Sequence, residues 1–149
     1  MDPATVVIAV DTNLLVYAHR AGLPEHRAAR RAIERAAGLS AGWGISHPSL
    51  AEFWAVVTHP ATSGRPSTAA EAFAFLRALF RDSDAHVWLP GPNFGERLIQ
   101  LAADRNVRGP RVFDLQIALT ALDNGAREVW THDRDFVSVP GLRIHDPLA

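Results

Sequence analysis

Cysteine and lysine are both absent from this chain of 149 residues. The absence of cysteine excludes disulfide bonds, thiolate metal ligands and thiol nucleophiles, and it fits a cytoplasmic protein. Because lysine is absent, all 15 basic residues are arginines. This disfavours the phosphatases and receiver domains that combine an acid at a strand end with an essential lysine.

Long apolar runs and a strong charge of one sign are also missing. No stretch approaches the roughly 20 apolar residues that span a bilayer, so membrane insertion is not expected. The first residues, Met1 to Ala4, do not resemble a secretory leader. A net charge of −1 gives no global attraction for nucleic acid, so RNA binding would depend on local arginine clusters. The length predicts a single domain over residues 1–149.

Apolar segments typical of buried strands alternate with stretches of helical periodicity. Residues 6–10 form a continuous apolar run, which is typical of a parallel strand buried on both faces. Further strands are predicted at residues 42–46, 86–89, 128–131 and 142–144, with helices or helix pairs between them. This alternation predicts an α/β fold, a three-layer α/β/α sandwich with a central, mainly parallel sheet.

Apolar spacing and capping residues indicate where the helices lie. Pro24 is predicted to open one helix and Pro48 another. Ser67 or Thr68 is predicted to cap a later helix. The buried face of that helix is predicted to carry Ala69, Phe73, Leu76 and Phe80. All four tryptophans fall within predicted strands or a helix, so we interpret them as core residues rather than platforms for RNA bases.

Four carboxylates fall where strands end and helices begin. Asp11 directly follows the first strand, and Glu52 lies in the early turns of the helix after the second. Asp114 opens the helix before the fourth strand, and Asp133 lies just beyond that strand. Ligands of open parallel sheets gather at the carboxyl ends of the strands. We therefore expect these four side chains to converge on one edge.

Such a cluster is unfavourable alone, because like charges within a few ångströms oppose one another's ionisation. A divalent cation resolves the conflict, and carboxylate oxygens without histidine or cysteine partners suit Mg²⁺ or Mn²⁺. These ions engage phosphates, which points to in-line attack on an RNA phosphate by a metal-activated water. Sites with one ion and with two are both compatible with the pattern.

Each acid also has an ordinary structural interpretation. Asp11 and Asp114 could serve only as carboxylates at helix N-termini. Residues 49–52 match a capping box, whose glutamate bonds back to the backbone. Asp133 and Asp135 could be solvated acids of an Asx turn. The joint placement of four acids at one end of the sheet favours the functional interpretation.

Around these acids the chain resembles a PIN domain of the VapC toxin type, over nearly its whole length. The segments VDTNLLVY (10–17), LAEF (50–53), RVFDLQIA (111–118) and THDRDF (131–136) are similar to the family's four motifs, in family order. Leu115 departs mildly, since the family more often has a small residue there. The resemblance implies metal binding by Asp11, Glu52, Asp114 and Asp133.

The resemblance also implies supporting roles for Asn13 and Thr131, and it leaves open whether Asp135 assists Asp133. It implies a Mg²⁺-dependent endoribonuclease that acts as the toxin of a toxin–antitoxin pair. A homodimer and a neutralising antitoxin protein are further implications. The alternative is a catalytically weak PIN domain that serves as an RNA- or protein-binding module.

Four arginines lie close in sequence to the last two acidic motifs. Arg105, Arg108 and Arg111 precede Asp114, and Arg134 follows Asp133 directly. Guanidinium groups bind phosphate oxygens through charge-assisted hydrogen bonds. We therefore expect these arginines to contact the RNA backbone.

Overall fold

A computed structural model describes residues 5–62 and 64–149. The expectation about a leader concerns Met1 to Ala4, which lie outside the described residues. The elements follow in the order β1 (Ile8–Val10), α1 (Thr12–His19), α2 (His26–Ala37), β2 (Trp43–Ser46), α3 (His47–Thr58), α4 (Ala69–Asp82), β3 (His86–Trp88), α5 (Phe94–Asp104), α6 (Arg111–Asp123), β4 (Glu128–Trp130) and β5 (Arg143–His145).

The five strands form one parallel sheet in the order β3-β2-β1-β4-β5. The central strand β1 pairs with β2 on one side and with β4 on the other, so that Ala9 lies opposite both Gly44 and Val129. Because every pair is parallel, the carboxyl ends of the strands share one edge. Asp11 follows β1 at this edge, and Thr131 follows β4.

Helices cover both faces of the sheet. Ile8 and Val10 of β1 pack in one core with residues of α1 to α4, including Leu14, Ile33 and Phe53. Ala9 faces the opposite side and packs in a second core dominated by α6, with α5 residues partly buried against it. The predicted three-layer α/β/α sandwich with a parallel sheet is confirmed.

A close contact between β2 and β3 helps to seat the edge strand. The indole ring of Trp88 lies directly over Gly44, and a Cβ on Gly44 would overlap that ring. Glycine is therefore required at this position for packing rather than for an unusual backbone angle.

Several local predictions differ from the structure. The second helix begins at His26 rather than at Pro24, with Glu25 at its N-cap. In α4 the buried face carries Ala72, Leu76 and Leu79, whereas Phe73 is 55% exposed. The predicted face was rotated because apolar spacing alone does not show which neighbour a helix meets.

The tryptophans are also not uniformly buried. Trp43, Trp88 and Trp130 belong to the core, as predicted. Trp54 on α3 is 37% exposed, so the prediction of a core position was wrong for this residue. Among the described residues, no helix is both long and apolar enough to cross a membrane.

Candidate active site

Asp11 occupies the turn between β1 and α1, at the centre of the sheet's carboxyl edge. Its backbone N–H donates to the carbonyl of Trp130 over 2.9 Å, which continues the pairing of β1 with β4. Oδ1 accepts from the backbone N–H of Thr12 at 2.8 Å, and Oδ2 accepts from the Thr131 hydroxyl at 2.8 Å. Asp11 is therefore the N-cap of α1, and the same carboxylate is joined to the end of β4.

Thr131 connects the first and last motifs. Its hydroxyl oxygen accepts from the Asn13 side chain at 3.3 Å and from the backbone N–H of Asp133 at 3.1 Å. The Asn13 carbonyl oxygen in turn accepts from the backbone N–H of His132 at 3.5 Å. Asn13 and Thr131 thus contact the segments that carry Asp11 and Asp133.

The environment of Asp11 opposes its ionisation. The residue is only 6% exposed, and burial raises its pKa to about 6, against the lowering effects of the bonds from Thr131 and Thr12. The negative charges of Glu52 and Asp114 raise this pKa further. Both carboxylates therefore act on Asp11 through charge, and neither forms a hydrogen bond to it within the described residues.

Glu52 lies on α3, and the structure does not support its interpretation as part of a capping box. The helix begins at His47, with Pro48 in its first turn, so Ser49 lies inside the helix rather than at its N-cap. The capping box predicted for residues 49–52 does not form, and the buried Ser49 hydroxyl has no hydrogen-bond partner among the described residues. Glu52 itself is exposed and makes no hydrogen bond or ion pair within this part of the chain.

Asp114 and Asp133 are joined by a single guanidinium group. Arg111 Nη1 donates to Asp114 Oδ2 at 3.0 Å and to Asp133 Oδ2 at 2.7 Å. The Arg111 Nη2 atom lies 3.7 Å from Oδ2 of Asp135, whose side chain is 82% exposed. Asp114 lies in the first turn of α6, which begins three residues earlier than predicted.

These contacts favour the charged forms of Arg111 and Asp133. Bonds to Asp133 and Asp114 raise the pKa of Arg111, so its positive charge is permanent. Burial alone would raise the pKa of Asp133, but the bonds from Arg111 and from the Asp135 N–H outweigh it and lower that pKa. Asp133 is therefore held as an anion.

Sequence reasoning missed a carboxylate–imidazole pair beside the site. His132 Nδ1 lies 2.9 Å from Asp146 Oδ2, and the Tyr17 ring meets the imidazole edge-on at 5.9 Å. The parallel pairing of Trp130 with His145 places the residues after β4 and β5 at the same edge. That register is the signal that could have identified Asp146, and it required knowledge of the strand order.

The donor set fits a hard divalent cation, although it is not closed. Among residues 5–62 and 64–149, no three acidic or histidine side chains form an assembled metal cluster. All the candidate ligands are carboxylates, the type that Mg²⁺ and Mn²⁺ prefer. In this part of the chain Asp11 and Glu52 have no cationic partner, and burial, with a smaller effect of the neighbouring negative charges, raises the pKa of Asp11.

The arginines predicted to bind RNA divide into two kinds. Arg111 lies among the acids, as described above. Arg105, Arg108 and Arg134 are exposed and form no ion pair within the described residues. Their guanidinium groups remain available to solvent on the loops beside α6 and β4, and their contact with RNA stays a prediction.

Comparison with known proteins identifies the family. Residues 8–142 match the PIN domain family. A VapC ribonuclease of Mycobacterium bovis is 35% identical over 143 residues, which cover 95% of this chain and 96% of that protein. Ribonuclease VapC48 of Mycobacterium tuberculosis is 30% identical over 144 residues, covering 93% and 96% of the two chains.

Solved structures agree with this fold. VapC20 of Mycobacterium tuberculosis, a sarcin–ricin-loop cleaving toxin, has a TM-score of 0.65 at 20% identity over 89% of this chain and 98% of its own. VapBC2 of Rickettsia felis, solved with a fragment of promoter DNA, has a TM-score of 0.68 at 18% identity over 95% and 98%. The chain belongs to the PIN-domain family, and the predicted resemblance to VapC proteins is confirmed.

Proposed function

We propose that this protein is a Mg²⁺-dependent endoribonuclease that acts as the toxin of a toxin–antitoxin pair. Family membership and the ribonuclease names of its sequence relatives support the reaction class. The observation that carries the proposal is the buried carboxylate of Asp11, held at the sheet edge by Thr131 and acted on by the charges of Glu52 and Asp114. A buried, uncompensated acid of this kind favours a cation-binding role over helix capping alone.

The side chains of the site have different proposed roles in metal binding, positioning and RNA binding. Asp11, Glu52, Asp114 and Asp133 would hold Mg²⁺, or Mn²⁺ in its place, which supplies polarisation of the phosphate and activation of the attacking water. Thr131 and the Thr12 N–H orient the two oxygens of Asp11, and Asn13 braces Thr131. Arg105, Arg108, Arg111 and Arg134 would bind the RNA backbone, and Asp135 would keep Asp133 in place through its backbone N–H.

The assembly is proposed on the same basis. The structural neighbour from Rickettsia felis is a VapBC complex, which supports an antitoxin protein as partner. We further propose a single domain over the whole chain, a homodimer, and action in the cytoplasm on cellular RNA without membrane attachment.

Cleavage of a purified structured RNA tests the reaction. Wild-type protein is incubated with the RNA in Mg²⁺ and in EDTA, beside Asp11→Asn and Glu52→Gln. We expect cleavage only by wild type in Mg²⁺, with a loss of at least about 100-fold in each variant. Equal RNA loss in every reaction would contradict the nuclease assignment.

Matched controls keep the result specific. Asp82→Asn, at the exposed end of α4, and Glu96→Gln, at an exposed position on α5, make the same chemical changes outside the proposed site and should retain wild-type cleavage. The alternative is a catalytically weak PIN domain that serves as an RNA- or protein-binding module. It predicts RNA binding in a mobility-shift assay with no Mg²⁺-dependent cleavage.

A further inference from the structure

Arg111 is the one arginine in the described residues that contacts more than one carboxylate. Its guanidinium group lies among Asp114, Asp133 and Asp135, at 3.0, 2.7 and 3.7 Å. Two of these acids are ligands in the proposed metal site. A permanent positive charge of the protein therefore contacts half of the proposed ligand set.

The hydrogen bonds are distributed unequally between the two ligands. Both oxygens of Asp133 are engaged, Oδ2 by Arg111 and Oδ1 by the backbone N–H of Asp135. In Asp114 only Oδ2 accepts, from Arg111 and from the Val137 N–H. No hydrogen bond to Asp114 Oδ1 occurs within the described residues. Because the Val137 N–H shares Oδ2 of Asp114 with Arg111, whereas Oδ2 of Asp133 accepts from Arg111 alone in this part of the chain, Asp133 depends more on the guanidinium group.

The positive charge of Arg111 should affect metal binding by the neighbouring acids. A divalent cation held by Asp133 would lie within a few ångströms of the guanidinium group, and their repulsion weakens metal binding. The Arg111 side chain is 40% exposed, and it extends from the first residue of α6. Its head can therefore exchange a carboxylate for another oxyanion without disturbing the core.

We propose that Arg111 competes with the divalent cation for Asp133 and Asp114, and that a phosphate of the RNA substrate ends the competition by taking up the guanidinium group. Arginine binds phosphate and carboxylate with the same forked geometry, which permits the exchange. The inference rests on the proposed function and adds to it that metal binding and RNA binding are coupled through one side chain.

Direct metal titration tests the competition without relying on activity. Free Mn²⁺ is measured by electron paramagnetic resonance during titration of wild type, Arg111→Gln and Arg31→Gln at pH 7.5. Removal of the neighbouring charge should tighten Mn²⁺ binding by Arg111→Gln roughly tenfold. Arg31→Gln removes the same charge from an exposed position on α2, and its Mn²⁺ affinity should equal that of wild type. Equal or weaker Mn²⁺ binding by Arg111→Gln would overturn the proposal.

A second measurement tests the phosphate exchange. Binding of a fluorescent RNA in EDTA should weaken several-fold in Arg111→Gln, but not in Arg31→Gln. Tighter Mn²⁺ binding with unchanged RNA binding would refute the exchange. If Arg111→Gln does not fold, Arg111→Met keeps the aliphatic stem and carries the same expectations.

An Asp11→Asn titration separates this inference from the proposed function. If wild type and Asp11→Asn bind Mn²⁺ identically, the metal site itself is wrong. If Asp11→Asn weakens binding while Arg111→Gln leaves it unchanged, only the competition by Arg111 is refuted.

Discussion

The hydroxyl of Thr131 donates a 2.8 Å hydrogen bond to Oδ2 of Asp11, although 120 positions separate the two residues. The bond joins the ends of β1 and β4. These are the neighbouring strands at which the order of strand addition reverses, with β2 and β3 on one side of β1 and β4 and β5 on the other. Since the same hydroxyl oxygen accepts from Asn13 and from the Asp133 N–H, one threonine positions two proposed ligands.

Replacement of Thr131 by valine should destabilise the fold and impair the site together. Valine keeps the shape but leaves Oδ2 of the buried Asp11 carboxylate without its donor, at a cost of about 1–3 kcal/mol in unfolding free energy. Urea denaturation measures the stability, and the RNA assay measures cleavage. Thr131→Ser keeps the hydroxyl and should remain near wild type in both. A valine variant as stable and active as the serine variant would contradict this role.

Asp11 should give the metal-free protein a distinctive pH dependence. Its pKa of about 6 in the folded state exceeds the ordinary value of 3.8, so folding favours the protonated form. The contribution of Asp11 to stability therefore falls as pH rises from about 4 to about 6, by up to about 3 kcal/mol. Asp11→Asn lacks this titration, so its stability relative to wild type should increase across that window.

Urea unfolding in EDTA at pH 4, 5, 6 and 7 measures this difference. A stability difference between the two proteins that stays constant with pH would show that Asp11 has an ordinary pKa. Saturating Mg²⁺ should abolish the effect in wild type, because cation binding favours the ionised carboxylate.

Two helix starts offer a contrast in capping. Thr68 and Glu71 form a capping box at α4, with reciprocal bonds of 3.1 and 3.0 Å. Thr68→Ala should cost about 1 kcal/mol. Ser49 makes no such bond, so Ser49→Ala should be neutral or stabilising. Thermal or urea denaturation of the two variants decides the matter, and a loss of 1 kcal/mol or more in Ser49→Ala would show that its hydroxyl is used.

The close contact between β2 and β3 should tolerate no side chain at position 44. Gly44→Ala places a Cβ within the ring of Trp88, and the overpacking should cost about 1–3 kcal/mol or more. Gly95→Ala provides the control, because that glycine lies in α5 with open space around it. Alanine there should stabilise the protein by about 0.5–1 kcal/mol. Equal stability of the two variants would contradict the close contact between Gly44 and Trp88.

The alternation of strands with helices, the parallel sheet and the position of each acid relative to the strand ends were predictable from the sequence, whereas the order of the strands was not. The apolar run before Asp11 specifies a strand buried on both faces, and such strands require a parallel sheet with acids at its carboxyl edge. The family motifs reinforced these assignments because they fall in order at the strand ends.

Details that depend on a neighbour were not predictable. The start of α3 at His47 turned Ser49 from a predicted cap into an interior residue. Phe73 and Trp54 fit a helical apolar pattern, yet they face outward because the neighbouring helices meet the opposite side. Arg111 was expected to bind RNA, but its position between Asp114 and Asp133 depends on the docking of α6 against the loop after β4.

Because β1 lies at the centre of the sheet, its pairing with both neighbours is completed late in synthesis. A chain growing from its N-terminus exposes Asp11 and Glu52 early, but β1 gains its second neighbour only when Glu128–Trp130 has left the ribosome. Thr131 and Asp133 emerge still later, so a nascent chain lacks the edge that joins the acids. For the ribonuclease proposed above, nascent chains that have not yet extended past Asp133 are therefore expected to be inactive.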